Sequence, residues 1–389
     1  MKICLFYHSL LSDWNHGNAH FLRGIASELH RRGHAVEVYE PRDAWSVENL
    51  VAEYGEGPLK GFKKAYPGLR SIRYDRADLD LEAVLRGADL VLVHEWNDHS
   101  LVRRIGESRR RHPFVLLFHD THHRLITRPE EMRAYDLTDY DGVLAYGKVL
   151  RDIYLREELT AKAWTWHEAA DVSRFKPAPH IQKEGDLVWI GNWGDDERVE
   201  ELHEFLIRPA QALGLKAAVY GVRYPADALE ALSRAGIEYR GWLPNFNVPE
   251  VFARYRLTVH VPRRPYVHTL PGIPTIRPFE AMACGIPLVM SPWNDAENLF
   301  TEGKDYLMVQ SGAEMREALR QLLADETRRA ALATHASATI QQRHTCSHRV
   351  DELLAIHHSL RPHRQGAKPQ PARTPPTKAV RPPAKTLSK

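Results

Sequence analysis

The chain has 389 residues, of which 43% are hydrophobic and 26% charged, with a formal net charge of +3. This length exceeds what one hydrophobic core usually holds, so we expect two globular domains. The cysteines, Cys4, Cys284 and Cys346, are widely separated and form no C-x-x-C pair, which argues against a disulfide scaffold and a structural zinc site. No window approaches the apolar length that crosses a bilayer, so we expect a cytoplasmic protein.

The first part of the chain alternates apolar runs with amphipathic helical stretches. The runs are continuously apolar, which is typical of buried parallel strands; they are residues 2–7, 35–40, 90–95, 114–120 and 142–147. A helix between the first two runs, capped at Asn18 and stopped at Gly33, places four apolar residues on one face: Phe21, Leu22, Ile25 and Leu29. This β-α-β order predicts a parallel, doubly wound sheet.

A second set of apolar runs indicates a second domain of the same kind. These runs are residues 186–192, 216–221, 237–242, 257–262, 286–291 and 306–309. We therefore predict an α/β fold of two facing, Rossmann-like, doubly wound domains with a central cleft. The predicted limits are 1–166 for the first domain, 167–180 for a linker, 181–345 for the second domain and 346–360 for a closing helix. Because ligands of open α/β sheets bind at the carboxyl ends of strands, the site should lie in strand-to-helix loops of both domains.

The C-terminal segment, residues 361–389, differs from the rest in composition. It has eight Lys or Arg, seven Pro and no acid, so the whole-chain charge of +3 leaves −5 for the remainder. Such a segment cannot bury enough apolar surface to fold, and we expect a disordered basic tail. The tail is either a solvated segment or a weak contact to an anionic surface such as the inner membrane face; no nucleic-acid contact is expected of the folded body.

One carboxylate stands out in TIRPFEAMACGIPLVMS, residues 275–291. A short helix from Pro278 to Cys284, stopped by Gly285, would put Glu280 in its first turn. One interpretation is a glutamate that compensates the helix dipole, worth about 0.3–1 kcal/mol. The other is a carboxylate that accepts hydrogen bonds from the vicinal hydroxyls of a ribose.

The same segment carries a family resemblance. Residues 277–291 resemble the nucleotide-sugar motif of GT-B glycosyltransferases of the family 4 type, and the R-x-FE form is closest to the CgeB-like, spore-maturation-protein branch. Further segments resemble that family in the same order, namely residues 16–41, 90–98, 167–177 and 186–202. The resemblance implies an enzyme that moves a sugar from a nucleoside-diphosphate sugar to an unknown acceptor, which could be a glycan, a lipid or a protein. It further implies a retaining, hexosyltransferase-like reaction that needs no metal and no cofactor.

The resemblance also implies roles for single residues. Glu280 would bind the donor ribose, Arg198 would neutralise the diphosphate, and Gly17 would let the N-terminal loop approach it. His119 would touch the transferred sugar, so His119 and Arg198 are the catalytic candidates. The donor side would further include Asn192, Thr275, Ile276 and Arg277. For Arg198 an ion pair on a helix surface, and for His119 a buried strand-end histidine, are the open alternatives.

On the acceptor side the candidates are Trp14, Trp96 and His99, which lie in loops of the first domain. The two tryptophans could stack on a sugar ring, although core tryptophans are an equal alternative. His119 and its neighbours in FHDTHH suit no metal geometry, and we expect no metal site.

One departure from the family pattern concerns the E-x7-E motif. The position of its first glutamate is Gly272, and no acid occurs between Val251 and Phe279. The interval is instead cationic, and we expect Arg263 or Arg264 to contact phosphate. The missing glutamate leaves the stereochemistry open and keeps two alternatives, a GT-B-shaped nucleotide-sugar epimerase and a non-catalytic nucleotide-sugar-binding protein. A dinucleotide oxidoreductase is disfavoured because residues 8–21 hold one glycine only.

Overall fold

The structure is a computed structural model that describes residues 1–361. The predicted disordered tail therefore lies, apart from Arg361, outside the described residues. Within residues 1–361, no helix combines the length and the apolar character that a membrane span requires.

The strands of the described residues form two separate sheets. They are β1 (Lys2–Phe6), β2 (Ala35–Pro41), β3 (Ser71–Tyr74), β4 (Leu90–His94), β5 (Val115–Asp120), β6 (Gly142–Ala145), β7 (Ala163–Thr165), β8 (Gly185–Ile190), β9 (Ala217–Tyr220), β10 (Glu238–Tyr239), β11 (Tyr255–His260), β12 (Leu288–Met290) and β13 (Leu307–Met308).

The helices connect these strands. They are α1 (Ala19–Arg31), α2 (Trp45–Tyr54), α3 (Gly57–Ala65), α4 (Leu81–Leu85), α5 (His99–Ser108), α6 (Arg124–Thr127), α7 (Pro129–Arg133), α8 (Lys148–Arg156), α9 (Val199–Leu202), α10 (Arg208–Ala212), α11 (Ala226–Arg234), α12 (Val248–Arg254), α13 (Arg264–His268), α14 (Ile276–Ala283), α15 (Gly312–Ala324), α16 (Glu326–Arg343) and α17 (Cys346–Leu360).

Both sheets are parallel and doubly wound, as predicted. The first has the order β3-β2-β1-β4-β5-β6-β7, and the second has the order β10-β9-β8-β11-β12-β13. In each sheet the order reverses beside the first strand of the domain, which creates a crevice at the carboxyl ends of the strands. The sequence analysis missed β3 and β7 because both are short and largely half-exposed, without a buried apolar run.

Apolar cores cover both faces of each sheet. In the first domain, Ile3 and Leu5 of β1 face one core, and Cys4 and Phe6 face the other. The predicted apolar face of α1 is confirmed, since its four residues are at most 2% exposed. Asn18 precedes this helix, but its side chain donates to Thr121 Oγ1 instead of capping the helix.

The chain passes between the domains twice. The first sheet ends at Thr165 and the second begins at Gly185, so the predicted linker, residues 167–180, lies in this first crossing. The second crossing brings α17 back onto the first domain, where Val350, Leu353 and Ile356 join the core formed with α1. The two crossings pair with each other at Ala170 and Thr345. This double connection positions the facing loops that form the site.

Candidate functional site

A cleft of about 970 Å³ separates the two domains and is lined by both of them. The first domain contributes the loop after β1, residues 13–18, and the loop after β5, residues 121–124. The second domain contributes the loop after β8 and the beginning of α14. All four segments follow the carboxyl ends of strands or begin the next helix, which is where ligands of doubly wound sheets bind.

Arg198 is a buried cation in the wall of this cleft. Its side chain donates to backbone carbonyls only, with Nη1 2.9 Å from Val261 O and Nε 3.4 Å from Trp193 O. No carboxylate within residues 1–361 forms an ion pair with it, so the alternative of a helix-surface ion pair is wrong. Burial lowers the pKa of Arg198 to about 9, and the positive charge of Arg263 adds to this effect. The guanidinium stays protonated at neutral pH, and an anion in the cleft would supply the missing counter-charge.

The two arginines of the cationic interval have different surroundings. Arg263 lines the cleft, and its Nη1 lies 2.6 Å from Glu197 Oε2. Arg264 is not among the residues that line the cleft; it forms a half-buried ion pair, with Nε 2.7 Å from Glu201 Oε1. The prediction of a phosphate contact therefore stands for Arg263, while Arg264 is corrected to a surface residue of α13.

The beginning of α14 forms the opposite wall. Thr275, Ile276 and Arg277 line the cleft, as the sequence analysis expected of donor-site residues. Ile276 and Arg277 open the helix, so their backbone N–H groups have no intrahelical acceptor and can face an anion. Thr275 has φ 60° and ψ −178°, a conformation that is essentially restricted to glycine. The helix begins two residues earlier than predicted, and Glu280 consequently lies in its second turn.

Glu280 lies beneath the wall and not on its surface. Its side chain is fully buried, and Oε1 accepts from Asn245 Nδ2 at 2.6 Å and lies 3.1 Å from His20 Nδ1. Oε2 pairs with Arg277. Burial raises the pKa of Glu280, but the positive charge of Arg277 and the contact with His20 outweigh it and hold this pKa below its ordinary value. The sequence predicted a free carboxylate at Glu280, whereas in the structure it belongs to a local ion pair at the domain junction. The ribose contact stays a prediction.

Two further donor-side candidates lie where the domains touch. Gly17 lines the cleft, and a Cβ at this position would stand 3.3 Å from Ile276 Cγ2, so the loop after β1 passes close to the beginning of α14. Asn192 also lines the cleft; its amide donates to Asn15 of the first domain, and its Oδ1 accepts from Val222 N at 3.1 Å.

His119 is not part of the cleft surface. It lies within β5, fully buried, with Nδ1 2.6 Å from the Tyr7 hydroxyl and its ring against Trp166. The predicted sugar contact is therefore corrected to a buried strand-end histidine. The reason is the length of β5, since the cleft begins only with Thr121 and His122, which follow the strand.

The acceptor-side candidates are divided in the same way. Trp14 and Trp96 line the cleft; Trp14 Nε1 donates to Glu53 Oε2 at 3.0 Å, and the Arg124 guanidinium lies 4.0 Å above the Trp96 ring. His99 does not line it. Its Nε2 lies 2.9 Å from Glu131 O and its ring stacks on Tyr135, so its assignment to the acceptor side is corrected to a packing role at the start of α5.

Two cleft residues had no individual role in the sequence analysis, His260 within the cationic interval and Glu168 within residues 167–177. His260 ends β11 with both ring nitrogens buried and without hydrogen-bond partners among the described residues, and burial lowers its pKa to about 3. Its position at a strand end could have revealed it. Glu168 follows β7 on the first crossing, is 3% exposed and lines the cleft; without β7 no pattern pointed to it. In the described part of the chain, no three potential metal ligands come together.

Comparison with known families agrees with this arrangement. A family model described as Glycosyltransferase Family 4 matches residues 17–174, and one described as Glycosyl transferase-like matches residues 198–355. The two matches fall in the first and the second domain. A search of curated protein sequences gave no significant match.

Solved structures share the two-domain arrangement over nearly the whole chain. A sucrose-phosphate synthase from Thermosynechococcus elongatus superposes with a TM-score of 0.65 at 13% identity, covering 92% of this chain and 99% of the other. Anabaena HepE in complex with UDP-glucose superposes with a TM-score of 0.64 at 15% identity, covering 92% of this chain and 100% of the other. An alpha-glucosyltransferase in complex with UDP-glucose and DNA superposes with a TM-score of 0.67 at 13% identity, covering 92% of this chain and 99% of the other. The chain therefore has the GT-B fold, as expected, while the CgeB-like subtype stays a prediction.

Proposed function

We propose that this protein is a glycosyltransferase that moves a sugar from a nucleoside-diphosphate sugar to an acceptor bound by the first domain. The donor would lie in the cleft, with its diphosphate between Arg198 and the beginning of α14. We further propose a hexosyl donor, transfer with retention at the anomeric carbon, and catalysis without metal or cofactor.

The observation that carries this proposal is the state of Arg198. Arg263, also in the cleft wall, already has a carboxylate partner in Glu197, whereas Arg198 donates only to carbonyl groups. A buried positive charge without a counter-ion costs free energy that a bound anion can offset. A diphosphate matches this need because its oxygens accept several hydrogen bonds from arginine.

The same groups suit the chemistry of sugar transfer. When the bond between the anomeric carbon and the diphosphate breaks, negative charge grows on the phosphate oxygens. Arg198, Arg263 and the N–H groups of Ile276 and Arg277 can stabilise that charge without reorganisation, which is the main source of rate enhancement in such sites. These fixed positive groups are the reason to propose that no metal is needed.

Uridine nucleotides are the first donor nucleotides to test. Two of the similar structures are complexes with UDP-glucose, which makes UDP-glucose the first donor to test. For the acceptor, the partly exposed ring of Trp96 offers aromatic surface to a sugar ring, which favours a glycan over a lipid or a protein. Trp14 is buried in a small core with Leu50 and Val222, as the alternative of a core tryptophan had it.

The test begins with binding. Nucleoside diphosphates and nucleotide sugars are screened for a rise in the melting temperature; a ligand at about 100 times its Kd stabilises the folded state by about 2.7 kcal/mol. With the best donor, Arg198→Ala should lower turnover by about 10²- to 10³-fold at saturating donor. Arg234→Ala, which breaks an exposed pair on α11, is the matched control. EDTA should leave turnover of the wild type unchanged.

Three results would contradict the proposal. If no nucleotide stabilised the protein, the cleft would not be a donor site. If Arg198→Ala kept full turnover, Arg198 would not act on the diphosphate. Donor binding without consumption, whatever acceptor is added, would identify a non-catalytic binder, and sugar conversion without acceptor would identify an epimerase.

A further inference from the structure

We propose that Glu168 binds hydroxyl groups of the sugar that the donor carries, and so determines which sugars the cleft accepts. This inference rests on the proposed function and adds a contact that neither the family motif nor the sequence analysis assigns. Glu168 would be a substrate-binding residue of the crossing segment between the two domains.

The first argument is the position of Glu168. The crossing segment is fixed to the end of the first sheet, because Trp166 N donates to Ala145 O at 2.7 Å and His167 Nδ1 lies 3.0 Å from Tyr146 O. The next residue, Glu168, faces the cleft. The Tyr146 hydroxyl lines the same region and donates to the Tyr266 hydroxyl at 2.7 Å. Hydroxyl and carboxyl groups from both domains therefore surround this part of the cleft.

The second argument is the missing partner. Glu168 Oε1 is fully buried and has no hydrogen-bond partner in the described part of the chain. The pKa of Glu168 is raised to about 8, first by burial and then by the negative charge of Glu280, while the positive charge of Arg277 opposes the shift. A buried polar atom without a partner costs stability, and buried polar atoms without partners are rare in folded proteins. Oε2 is not among the fully buried atoms and makes no hydrogen bond in the described part of the chain, so it is the oxygen through which a ligand in the cleft would bind this carboxyl group.

The third argument concerns which part of the donor would provide them. A carboxyl group does not suit the diphosphate, which has its own cationic surroundings at Arg198 and α14. Glu168 is attached to the first domain, whereas the predicted nucleotide contacts, apart from the loop at Gly17, belong to the second. The part of the donor that extends from the second domain towards the first is the transferred sugar, whose hydroxyl groups both donate to and accept from a carboxyl group.

The surroundings of Gly272 agree with this assignment. The family motif would have a carboxylate there, but a Cβ on Gly272 would stand 2.8 Å from Glu297 Cγ. Glu297 in turn lies 3.0 Å from His167 Nε2, with Oε2 as the contact atom. The crossing segment thus passes beside the place of the missing motif glutamate, and it brings a carboxyl group of its own to the cleft.

The test compares binding of a nucleotide sugar with binding of the bare nucleotide by calorimetry. UDP-glucose and UDP are the first pair, replaced by the pair that the stabilisation screen selects if another nucleotide binds better. We expect Glu168→Ala to weaken nucleotide-sugar binding about tenfold or more, as for the loss of a hydrogen bond to a carboxyl group. Binding of the bare nucleotide should stay within about twofold, because the nucleotide does not reach Glu168. Glu302→Ala, an exposed carboxylate far along the chain, is the control.

Each outcome has a distinct meaning. If no nucleotide pair binds the wild type, the proposed function fails and this inference fails with it. If the wild type binds a pair but Glu168→Ala weakens neither compound, or weakens both equally, the sugar contact is wrong while the proposed function stands. Should Glu168→Ala lose its native circular dichroism, the same comparison is made with Glu168→Gln, which keeps the side-chain shape and one acceptor. Its sugar-dependent loss should then be smaller but confined to the nucleotide sugar.

Discussion

At the scale of single residues, the cleft collects buried polar groups that the protein itself leaves without partners. Within residues 1–361, Arg198 has no counter-ion, His260 has two unpartnered nitrogens, and Glu168 Oε1 has no donor. Such groups are costly in a protein interior, and each would be stabilised by a polar ligand. Buried side-chain atoms without partners also occur away from the cleft in the described residues, for example at Glu40 and His357. These three groups matter for binding because they line the cleft.

Because the Glu168 carboxyl group is buried, the free energy of unfolding should depend on pH. Its pKa is about 8 in the folded protein, compared with an ordinary value of 4.5. Below pH 4.5 both states hold the proton and nothing is lost. As the pH rises from 4.5 to about 8, the unfolded state releases its proton while the folded state retains it, so the free energy of unfolding decreases.

Glu168→Gln stays neutral at every pH and should avoid this loss. We expect little difference from the wild type at pH 5, and a gain on the order of 2–4 kcal/mol at pH 8.5, measured by urea unfolding. Glu302→Gln, the same substitution at an exposed position, is the control. An equal effect of Glu168→Gln at both pH values would mean that the buried carboxyl is already ionised at pH 5.

At the scale of elements, α14 contains the strained backbone of the site. Thr275 precedes the helix with φ 60° and ψ −178°, where its Cβ is crowded. Glycine adopts this conformation without strain, although it loses more entropy on folding. We expect Thr275→Gly to raise the free energy of unfolding by about 1 kcal/mol, measured with urea. Thr301→Gly, at an exposed loop position, is the control and should not stabilise the protein; equal effects would show that the strain is not real.

The same helix connects the two domains through Glu280. Its carboxylate contacts His20 of α1 in the first domain, and Asn245 and Arg277 in the second. If Glu280 were only a free ligand contact, Glu280→Ala would leave the fold intact. The structure changes this expectation, because the substitution leaves buried polar groups of both domains without their acceptor.

We therefore expect Glu280→Ala to destabilise the protein by about 3–5 kcal/mol. Glu250→Ala breaks only an exposed pair with Arg254 and should cost about 0.5 kcal/mol or less. Thermal unfolding of both variants measures the difference. Loss of nucleotide binding with an unchanged melting temperature would instead favour the direct ribose contact.

A helix or strand could be predicted where its own residues form a clear pattern, and could not where its burial depends on neighbouring elements. The continuously apolar strands β4 and β5 were predicted from the sequence, whereas β7 is half-exposed and has no recognisable apolar run. For the site, Thr275 and Arg198 both lie in the cleft wall, but their contacts with a donor stay predictions. His119 and Glu280 do not line the cleft, because the direction of each side chain follows from tertiary packing, which no spacing in the sequence encodes.

At the scale of the whole molecule, the cleft exists because the chain crosses twice between its domains. The crossing after Thr165 carries Glu168, and the return crossing carries α17 back to the first domain. The sequence predicts that the second domain ends at residue 345, and α17 follows this limit. In the structure α17 packs into the core of the first domain. The first domain is therefore incomplete until α17 has folded onto it.

This dependence gives a prediction for α17. Leu353 is fully buried against the core formed with α1, whereas its neighbour Leu354 is half-buried at the edge. Leu353→Ala should reduce the free energy of unfolding by about 2–5 kcal/mol, through lost burial and the cavity that remains. Leu354→Ala, the same chemical change one residue on, should cost clearly less. Urea unfolding is followed by tryptophan fluorescence; of the nine Trp of the chain, Trp166 contacts α17 directly, since its Nε1 donates to Arg349 O at 2.9 Å. Equal costs for the two leucines would show that packing of α17 does not complete the first domain.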